Sequence, residues 1–411
     1  MSPESAPVPA ERAKLRHRGS SQGGLRQYNE RVVLQAIRLN GPLAGAEIAR
    51  LTHLTAQTVS MITKQLLEDG LLLKGAPVRG KVGQPSVPLA LNPDGASAIG
   101  IKVGRRSLDV LRIDFTGAVR ARSRMEYPVP DPALLLPGIR ERIEEVQAGL
   151  GAAERARIAG VGIAAPLSLG GWGSLLGMPD ALARAWHAID LRAEVRGMVD
   201  CPVALLKDTA AASVAELIAG RGRAVASFLY LFVDTFIGGG LVLDNHLRGG
   251  LHGNAGAVGS MPSGLAGDAP PRQLLAIASL INLEQRYRAA GLDVDAAIDG
   301  RALTPPWRPA TDLWLAEAAN GIALAAQSAC CLLDLDAVII DGSFSRGLQI
   351  ALRTAIEAQL DRYDWEGVAR PRILAGEAGP DARALGGALL PLYLEFAPDR
   401  DLFLKIVEDP A

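Results

Sequence analysis

The stretch 54–70, LTAQTVSMITKQLLEDG, carries polar side chains at a spacing that suits hydrogen bonding to base edges in duplex DNA. Val59, Ile62 and Leu66 fall at i, i+3 and i+7, which predicts a helix with one buried face. Thr55 is suited to cap its start. The side chains predicted to enter a major groove are Gln57, Thr58, Ser60, Met61 and Lys64. An ordinary amphipathic surface helix has the same pattern, so the flanking segments must decide between the two.

Two helices and a hairpin flank this stretch. Apolar residues recur at helical spacing in 26–40, and a second short helix is predicted in 44–54. After Gly70, two short extended runs enclose a Gly-rich tip suited to contact phosphates or a minor groove. The tip side chains predicted to do so are Arg79, Lys81 and Gln84. Three helices followed by a basic wing predict a winged helix-turn-helix DNA-binding domain over residues 26–95.

Charge is unevenly distributed along the 411 residues, whose formal net charge is -1. Residues 1–92 hold 12 Lys and Arg against 6 Asp and Glu, whereas the remaining residues hold 31 against 38. A basic N-terminal part on an acidic body favours a polyanion as partner, which agrees with double-stranded DNA. Residues 1–25 combine Pro, Ser and Gly with clustered basic side chains, so we expect a disordered basic tail there.

From Ala98 onward, apolar extended runs alternate with helical ones, which predicts an α/β architecture. A segment of about 310 residues suits two lobes around a cleft. The predicted division is a smaller α/β lobe over 96–210, rejoined by 395–411, and a larger α/β lobe over 211–394.

The composition favours a cytoplasmic protein that does not contact a membrane. No apolar run approaches the roughly 18 residues of a membrane-spanning helix. The polar N-terminus also lacks the apolar core of a secretory signal. The three cysteines have neither CxxC spacing nor neighbouring histidines, so no metal site is expected.

Four parts of the sequence are informative when taken together. They are GQPSVPLALNP, KDTAAASVAE, the pair IGGGLVLDNHL and GNAGAVGSM, and DARALGGALL. Together they resemble the ROK family of bacterial sugar kinases and sugar-responsive repressors. The resemblance implies an N-terminal winged helix-turn-helix followed by a two-lobed actin-like or ribonuclease H-like domain of the sugar-kinase type. Repressors of this family usually dimerise, so a homodimer or homotetramer is implied.

The phosphate-binding turns of the family's kinases are altered in this chain. Those kinases hold the phosphates of metal-bound ATP with a Gly-rich turn and an Asp. In the corresponding stretch, GIKVGRRS, Lys102 occupies the place of the Asp, and Arg105 and Arg106 occupy places that resemble a Gly-Thr pair. The second turn, usually Gly-Thr-Gly, is Asp-Thr-Phe at 234–236. Charge repulsion and bulk both argue against ATP, so neither a cofactor nor a catalytic residue is expected.

The sugar-contacting residues of the family are only partly kept. Asp208 matches the carboxylate that deprotonates the sugar hydroxyl in the kinases, and Lys207 replaces an Asn beside it. Asn254 is kept, whereas Ser260 replaces a His that usually helps to bind a structural zinc, which we expect to be absent. We expect these side chains to bind a small polar effector, a sugar or sugar derivative. Trp172 could stack on a sugar or pack on the lobe, and the cleft could instead be a rigid dimer support.

The sequence therefore predicts a sequence-specific transcriptional regulator, a repressor of carbohydrate-related genes, with a non-catalytic domain that senses an effector and dimerises. Effector binding would move the lobes and change the separation of two recognition helices, which meet half-sites about one DNA turn apart. Two alternatives stay open. One is an active ROK sugar kinase that carries a DNA-binding domain, and the other is a scaffold in which both activities have decayed.

Overall fold

The structure is a computed structural model that describes residues 22–77, 86–171, 177–265 and 270–398. Some of the predicted site residues lie outside these ranges, namely Arg79, Lys81, Gln84 and Trp172. Most of the predicted tail 1–25 and of the predicted C-terminal return also lie outside them.

Three helices and a pair of short strands form the N-terminal part, as the sequence predicts. They are α1 (Gln22–Asn40), α2 (Gly45–Thr52), α3 (Ala56–Glu68), β1 (Leu72–Lys74) and β2 (Leu89–Leu91), with the two strands antiparallel. α1 begins at Gln22, so the last residues of the predicted tail are helical. Ala44 supplies no side-chain cap to α2, but the Glu47 carboxylate accepts the Ala44 N–H at 3.2 Å, which is the other half of a capping box.

α3 is anchored by the apolar face that its sequence predicts. Val59, Ile62 and Leu66 are buried, and they pack with Ile48 of α2 in one hydrophobic cluster. The Thr55 hydroxyl accepts the Thr58 N–H at 3.1 Å, which is the predicted N-cap. These contacts fix the direction in which the opposite face of α3 points.

The first sheet of the α/β body has the order β5-β4-β3-β6-β7. Its strands are β3 (Ser97–Val103), β4 (Ser107–Asp114), β5 (Val119–Glu126), β6 (Ile158–Ala165) and β7 (Val203–Lys207). β3, β4 and β5 are antiparallel, whereas β6 and β7 run parallel to β3. The helices of this part are α4 (Pro132–Val146), α5 (Ala152–Arg155), α6 (Asp180–His187), α7 (Leu191–Arg196) and α8 (Asp208–Ala219).

The second sheet repeats this topology, with the order β10-β9-β8-β11-β12. Its strands are β8 (Phe228–Val233), β9 (Gly238–Leu243), β10 (His246–Arg248), β11 (Ala337–Gly342) and β12 (Arg372–Ala375). Its helices are α9 (Leu275–Ala278), α10 (Leu280–Ala289), α11 (Arg308–Leu333), α12 (Arg346–Leu360) and α13 (Ala382–Phe396). β8, β9 and β10 are antiparallel, and β11 and β12 continue in parallel, as in the first sheet. A duplicated sheet of this topology is the predicted two-lobed, ribonuclease H-like architecture.

Short 3-10 turns connect several of these elements. They are Pro93–Gly95, Arg221–Ala224, Val258–Ser260, Val294–Ile298, Gly300–Leu303 and Gly379–Asp381. Among the described residues, α11 is the helix that is long and apolar enough, by length and composition alone, to cross a membrane. More than half of its most apolar window is buried, and Trp314 and Ile322 are fully enclosed, so α11 packs as a core helix of the second lobe.

α8 and α13 lie against each other between the two sheets. Residues of both helices share one hydrophobic cluster with β3, β4, β8 and β11. The close approach of the helices requires glycine, because a Cβ on Gly386 of α13 would lie 1.7 Å from the Ala211 carbonyl oxygen of α8. α13 also lies close to β6, where a Cβ on Gly162 would be 1.9 Å from the Gly387 carbonyl oxygen. The predicted lobe boundary at residue 210 falls in the first turn of α8. Because their hydrophobic cluster includes strands of both sheets, α8 and α13 contact both lobes.

The N-terminal helices pack on the body through α1. The Arg38 guanidinium donates to the Phe115 carbonyl at 2.9 Å and lies 5.0 Å from the centre of its ring. Burial lowers the pKa of Arg38 to about 10, although Tyr393 and Asp114 oppose that shift. Phe115 in turn packs edge-on against Phe396 at the end of α13. The N-terminal helices are thus connected through Phe115 to α13, the helix that begins in the cleft between the two lobes.

Candidate functional site

Four of the five predicted groove-facing residues of α3 lie exposed on one side of that helix. They are Gln57, Ser60, Met61 and Lys64, with Met61 64% exposed and the Lys64 side chain 79% exposed. Thr58 is half-buried instead, and its hydroxyl lies 2.8 Å from that of Thr55 in the N-cap. The exposed face carries amide, hydroxyl, thioether and ammonium groups, a set that can contact base edges and phosphates.

The predicted effector residues that the structure describes line one small pocket between the lobes. Lys207, Asp208, Asn254 and Ser260 surround a volume of about 180 Å³. The first two come from the junction of β7 and α8, whereas the other two come from the segment after β10. The sequence therefore identifies side chains that are distant along the chain and adjacent in the fold.

Asp208 and Lys207 are held in place by hydrogen bonds to the backbone. Asp208 is the first residue of α8, and its Oδ1 accepts the Thr209 N–H at 2.8 Å. Lys207 Nζ donates to the Gly239 carbonyl at 3.2 Å, and the Thr209 hydroxyl donates to the same oxygen at 2.7 Å. Burial lowers the pKa of Lys207, although the charge of Asp208 opposes the shift. The pair thus places a donor and an acceptor side by side in the pocket wall.

A larger cleft of about 700 Å³ adjoins this pocket at the two altered phosphate turns. Lys102 is buried there, and its ammonium donates to Ser107 at 2.5 Å and to Asp109 at 3.0 Å. Burial and the charge of Arg383 lower the pKa of Lys102, against the opposing effect of Asp109. Lys102 therefore pairs with a carboxylate of the chain itself, at the position where the family's kinases have an Asp.

The two consecutive arginines after Lys102 also bind within the protein. Arg105 donates to the Gly171 carbonyl at 2.8 Å, and its guanidinium lies 4.8 Å from the centre of the Phe236 ring. Arg106 pairs with Glu284 of α10 at 2.7 Å. Both side chains thus cross from the first lobe towards the second.

Arg383, at the start of α13, is a site residue that the sequence analysis does not identify. Its Nη2 lies 2.5 Å from Asp234 Oδ2, and its Nη1 lies 4.0 Å from Asp208 Oδ2. Burial disfavours the charge of Asp234, but Arg383 and Lys102 outweigh that effect and lower the pKa of Asp234 to about 2. Arg383 lies in the segment DARALGGALL, yet the local pattern there indicates only a helix, so no sequence signal points to these partners.

The charges that line the larger cleft nearly cancel, with one more carboxylate than cations. Five described lining residues are cationic and six are carboxylates. The cations are Lys102, Arg105, Arg106, Arg124 and Arg383, and the carboxylates are Asp109, Glu126, Asp208, Asp234, Glu284 and Asp295. A triphosphate would therefore meet a wall without net positive charge. Among the residues that the structure describes, no group of three or more His, Cys, Asp or Glu side chains is arranged to hold a metal ion.

The duplicated sheets and the cleft define a two-lobed α/β protein of the sugar-kinase type. Helices and a strand pair precede these lobes, and side chains of the protein itself occupy the phosphate turns. The model of the ROK family matches residues 98–392. The chain belongs to the ROK family.

Relatives of this chain include an uncharacterised protein and a repressor. It is 24% identical over 369 residues to protein y4fQ of Sinorhizobium fredii, a match that covers 90% of this chain and 91% of that protein. It is 28% identical over 237 residues to the xylose repressor of Caldicellulosiruptor bescii. That second match covers 57% of this chain and 58% of the repressor, which is less than two thirds of either.

Solved structures share the fold of this chain. A ROK family transcriptional regulator, described as a homologue of the Escherichia coli MLC protein, has a TM-score of 0.65 and 20% identity, and the match covers 93% of this chain and 99% of that one. A ROK family glucokinase from Streptomyces griseus, in complex with glucose and AMPPNP, has a TM-score of 0.57 and 20% identity over 72% of this chain and 99% of that one. The fold is therefore common to regulators and kinases.

Proposed function

We propose that this protein is a sequence-specific DNA-binding repressor of carbohydrate-related genes, in which the α/β body senses a small polar effector. The observation that carries the proposal is the exposed polar face of α3, whose opposite face is anchored by buried apolar side chains. The similarity to a xylose repressor and to a ROK transcriptional regulator supports the same function. A homodimer or homotetramer would present two copies of α3 to half-sites about one DNA turn apart.

Fluorescence anisotropy with the gene's own promoter region tests DNA binding. Gln57→Ala should weaken binding to the specific site by about 1–3 kcal/mol, because a base-reading side chain is lost. Lys64→Ala should weaken binding to any sequence and reduce the salt slope by about 1. Arg288 is an exposed cation on α10, and Arg288→Ala is the control for Lys64→Ala because it removes the same charge. Binding to the promoter no tighter than to random DNA would refute the proposal.

We further propose that the body transfers no phosphate. Lys102 and Asp234 occupy the phosphate turns and are paired with Asp109 and Arg383. The described residues that line the cleft carry no net positive charge. The alternative, a sugar kinase with a DNA-binding domain, relies on Asp208 as general base. A coupled assay of ATP consumption with hexoses and pentoses should give no turnover. Turnover that Asp208→Asn abolishes would establish the alternative.

A further inference from the structure

A second chamber, of about 550 Å³, lies beside the small effector pocket. The two share part of their wall, because Leu167, Ser168 and Lys207 line both. Residues of segment 186–191 and of loop 250–253 line the second chamber. We propose that the two chambers form one site and that the effector is a neutral two-ring carbohydrate, a disaccharide or a glycoside of that size. The inference rests on the proposed function and specifies its ligand.

Size favours a ligand larger than one sugar ring. Pockets for small molecules usually have volumes of about 300–1,000 Å³. The small effector pocket, called the inner pocket below, has a volume of about 180 Å³ and is below that range. Together with the second chamber, called the outer chamber below, its volume lies within the range. A single ring in the inner pocket would leave the outer chamber filled only with water.

The walls of the outer chamber alternate polar and apolar groups. His187 and His252 both line the chamber and are exposed. Leu167 and Leu251 also line it and are 57% and 94% exposed, so apolar surface is accessible to a ligand there. Sugar rings offer hydroxyl groups at their edges and C–H groups on their faces, and this wall is complementary to both.

The charges argue for a neutral ligand. Two cationic side chains, Arg105 and Lys207, and two carboxylates, Asp190 and Asp208, are found among the described residues that line the two chambers. Lys207 Nζ uses one N–H on the Gly239 carbonyl and has three donors, so it can also donate to ligand hydroxyls. A wall of balanced charge does not favour a sugar phosphate or a sugar acid over an uncharged sugar.

Calorimetric titration of the full-length protein with matched pairs of probes tests the inference. The pairs are glucose with maltose and cellobiose, galactose with lactose and melibiose, and xylose with xylobiose. At least one disaccharide should bind about tenfold or more tightly than its own monosaccharide, which corresponds to about 1.4 kcal/mol. Equal affinities within each pair would overturn the inference, as would the absence of binding by all pairs.

Two variants locate the second ring. His252→Ala should weaken binding of the disaccharide about tenfold and leave the monosaccharide within about twofold, because a single hydrogen bond in the outer chamber is lost. Asn254→Ala should weaken both ligands. Equal loss of both ligands in His252→Ala would overturn the outer subsite. Promoter binding is measured in parallel: tight disaccharide binding without specific DNA binding would refute the proposed function and not this inference.

Discussion

Arg106 Nη1 lies 2.7 Å from Oε1 and 2.9 Å from Oε2 of Glu284, and this ion pair joins the two lobes. Arg106 lies in the turn between β3 and β4, whereas Glu284 lies on α10. The Glu284 side chain is only 9% exposed, against 41% for Arg106, so the carboxylate depends on the arginine for neutralisation. The turn between β3 and β4, whose sequence resembles a phosphate-binding turn, is thus joined to the second lobe by an ion pair.

Replacement of Arg106 by Ala should loosen the closure of the lobes. The buried Glu284 carboxylate would lose its partner, which costs about 1–3 kcal/mol. Hydrogen exchange should rise along α10, and small-angle scattering should give a larger radius of gyration. Arg124→Ala is the matched control, because Arg124 lines the same cleft and pairs within its own lobe with Asp109 and Glu126. Identical hydrogen exchange along α10 in the two variants would show that the Arg106–Glu284 pair does not hold the lobes together.

The Asp234–Arg383 pair should contribute stability that depends on pH. The pKa of Asp234 falls from 3.8 to about 2 in the folded state, so its contribution is complete above about pH 4 and is lost as the pH falls towards 2. Asp234→Asn should lower the free energy of unfolding by about 2 kcal/mol at pH 7, and the difference should shrink between pH 4 and 2. Urea denaturation at several pH values measures it.

A surface ion pair of the same lobe provides the control for that measurement. Asp361 lies 2.7 Å from Arg370, and both side chains are at least 40% exposed. Exposed pairs of this kind contribute roughly 0–1 kcal/mol, so Asp361→Asn should have a smaller effect at neutral pH. A constant difference between wild type and Asp234→Asn from pH 7 to pH 2 would contradict the assigned role of Arg383.

The elements that the sequence predicts correctly are those whose burial follows a local pattern. α3 has its apolar face at helical spacing, and β8 and β11 are two of the apolar extended runs that alternate with helical ones after Ala98. β5 is not predicted, because it is an edge strand with the sequence VRARSRME and polar side chains on both faces. α12 is not predicted either, although its buried Leu348, Leu352, Ile356 and Leu360 recur every four residues, a readable signal.

The candidate site is predictable only where a resemblance supplies the pairing. Asp208 and Asn254 are identified from family segments, and they do line one pocket. Arg383 and Glu284 are not identified, because their partners belong to distant elements and leave no trace in the local pattern. Side chains that form long-range ion pairs become evident only once the sheets and helices are placed.

The close contact between α8 and α13 should tolerate no side chain at Gly386. A Cβ there would lie 1.7 Å from the Ala211 carbonyl oxygen, so the helices would have to separate. Gly386→Ala should lower the free energy of unfolding by about 1–3 kcal/mol, as overpacking does. Gly45→Ala in α2 is the control, since no described atom beyond its chain neighbours and the backbone of α2 lies within 4 Å of the position that a Cβ would take there. Helix propensity should stabilise this variant by up to about 1 kcal/mol. Equal stability of the two variants would contradict this packing.

α8 extends from the small pocket lined by Lys207 and Asp208 towards the N-terminal helices. It begins at Asp208 in the pocket wall and is followed by Arg223, whose guanidinium donates to the Leu39 carbonyl of α1 at 2.8 Å. A displacement of α8 would therefore reach the end of α1 through the 3-10 turn Arg221–Ala224 that follows it. Arg223→Ala should remove that connection and raise hydrogen exchange of the amides at the end of α1 about threefold to tenfold, since one hydrogen bond contributes about 1 kcal/mol.

Arg221 provides the matched control for this connection. It lies in the same 3-10 turn as Arg223 but pairs with Glu377, at 3.0 Å, on the body rather than with α1. Arg221→Ala should leave exchange at the end of α1 unchanged, although it removes an identical charge from the same turn. If the two variants raise exchange there equally, loss of charge rather than loss of the Arg223–Leu39 contact is the cause, and α8 does not transmit its position through this bond.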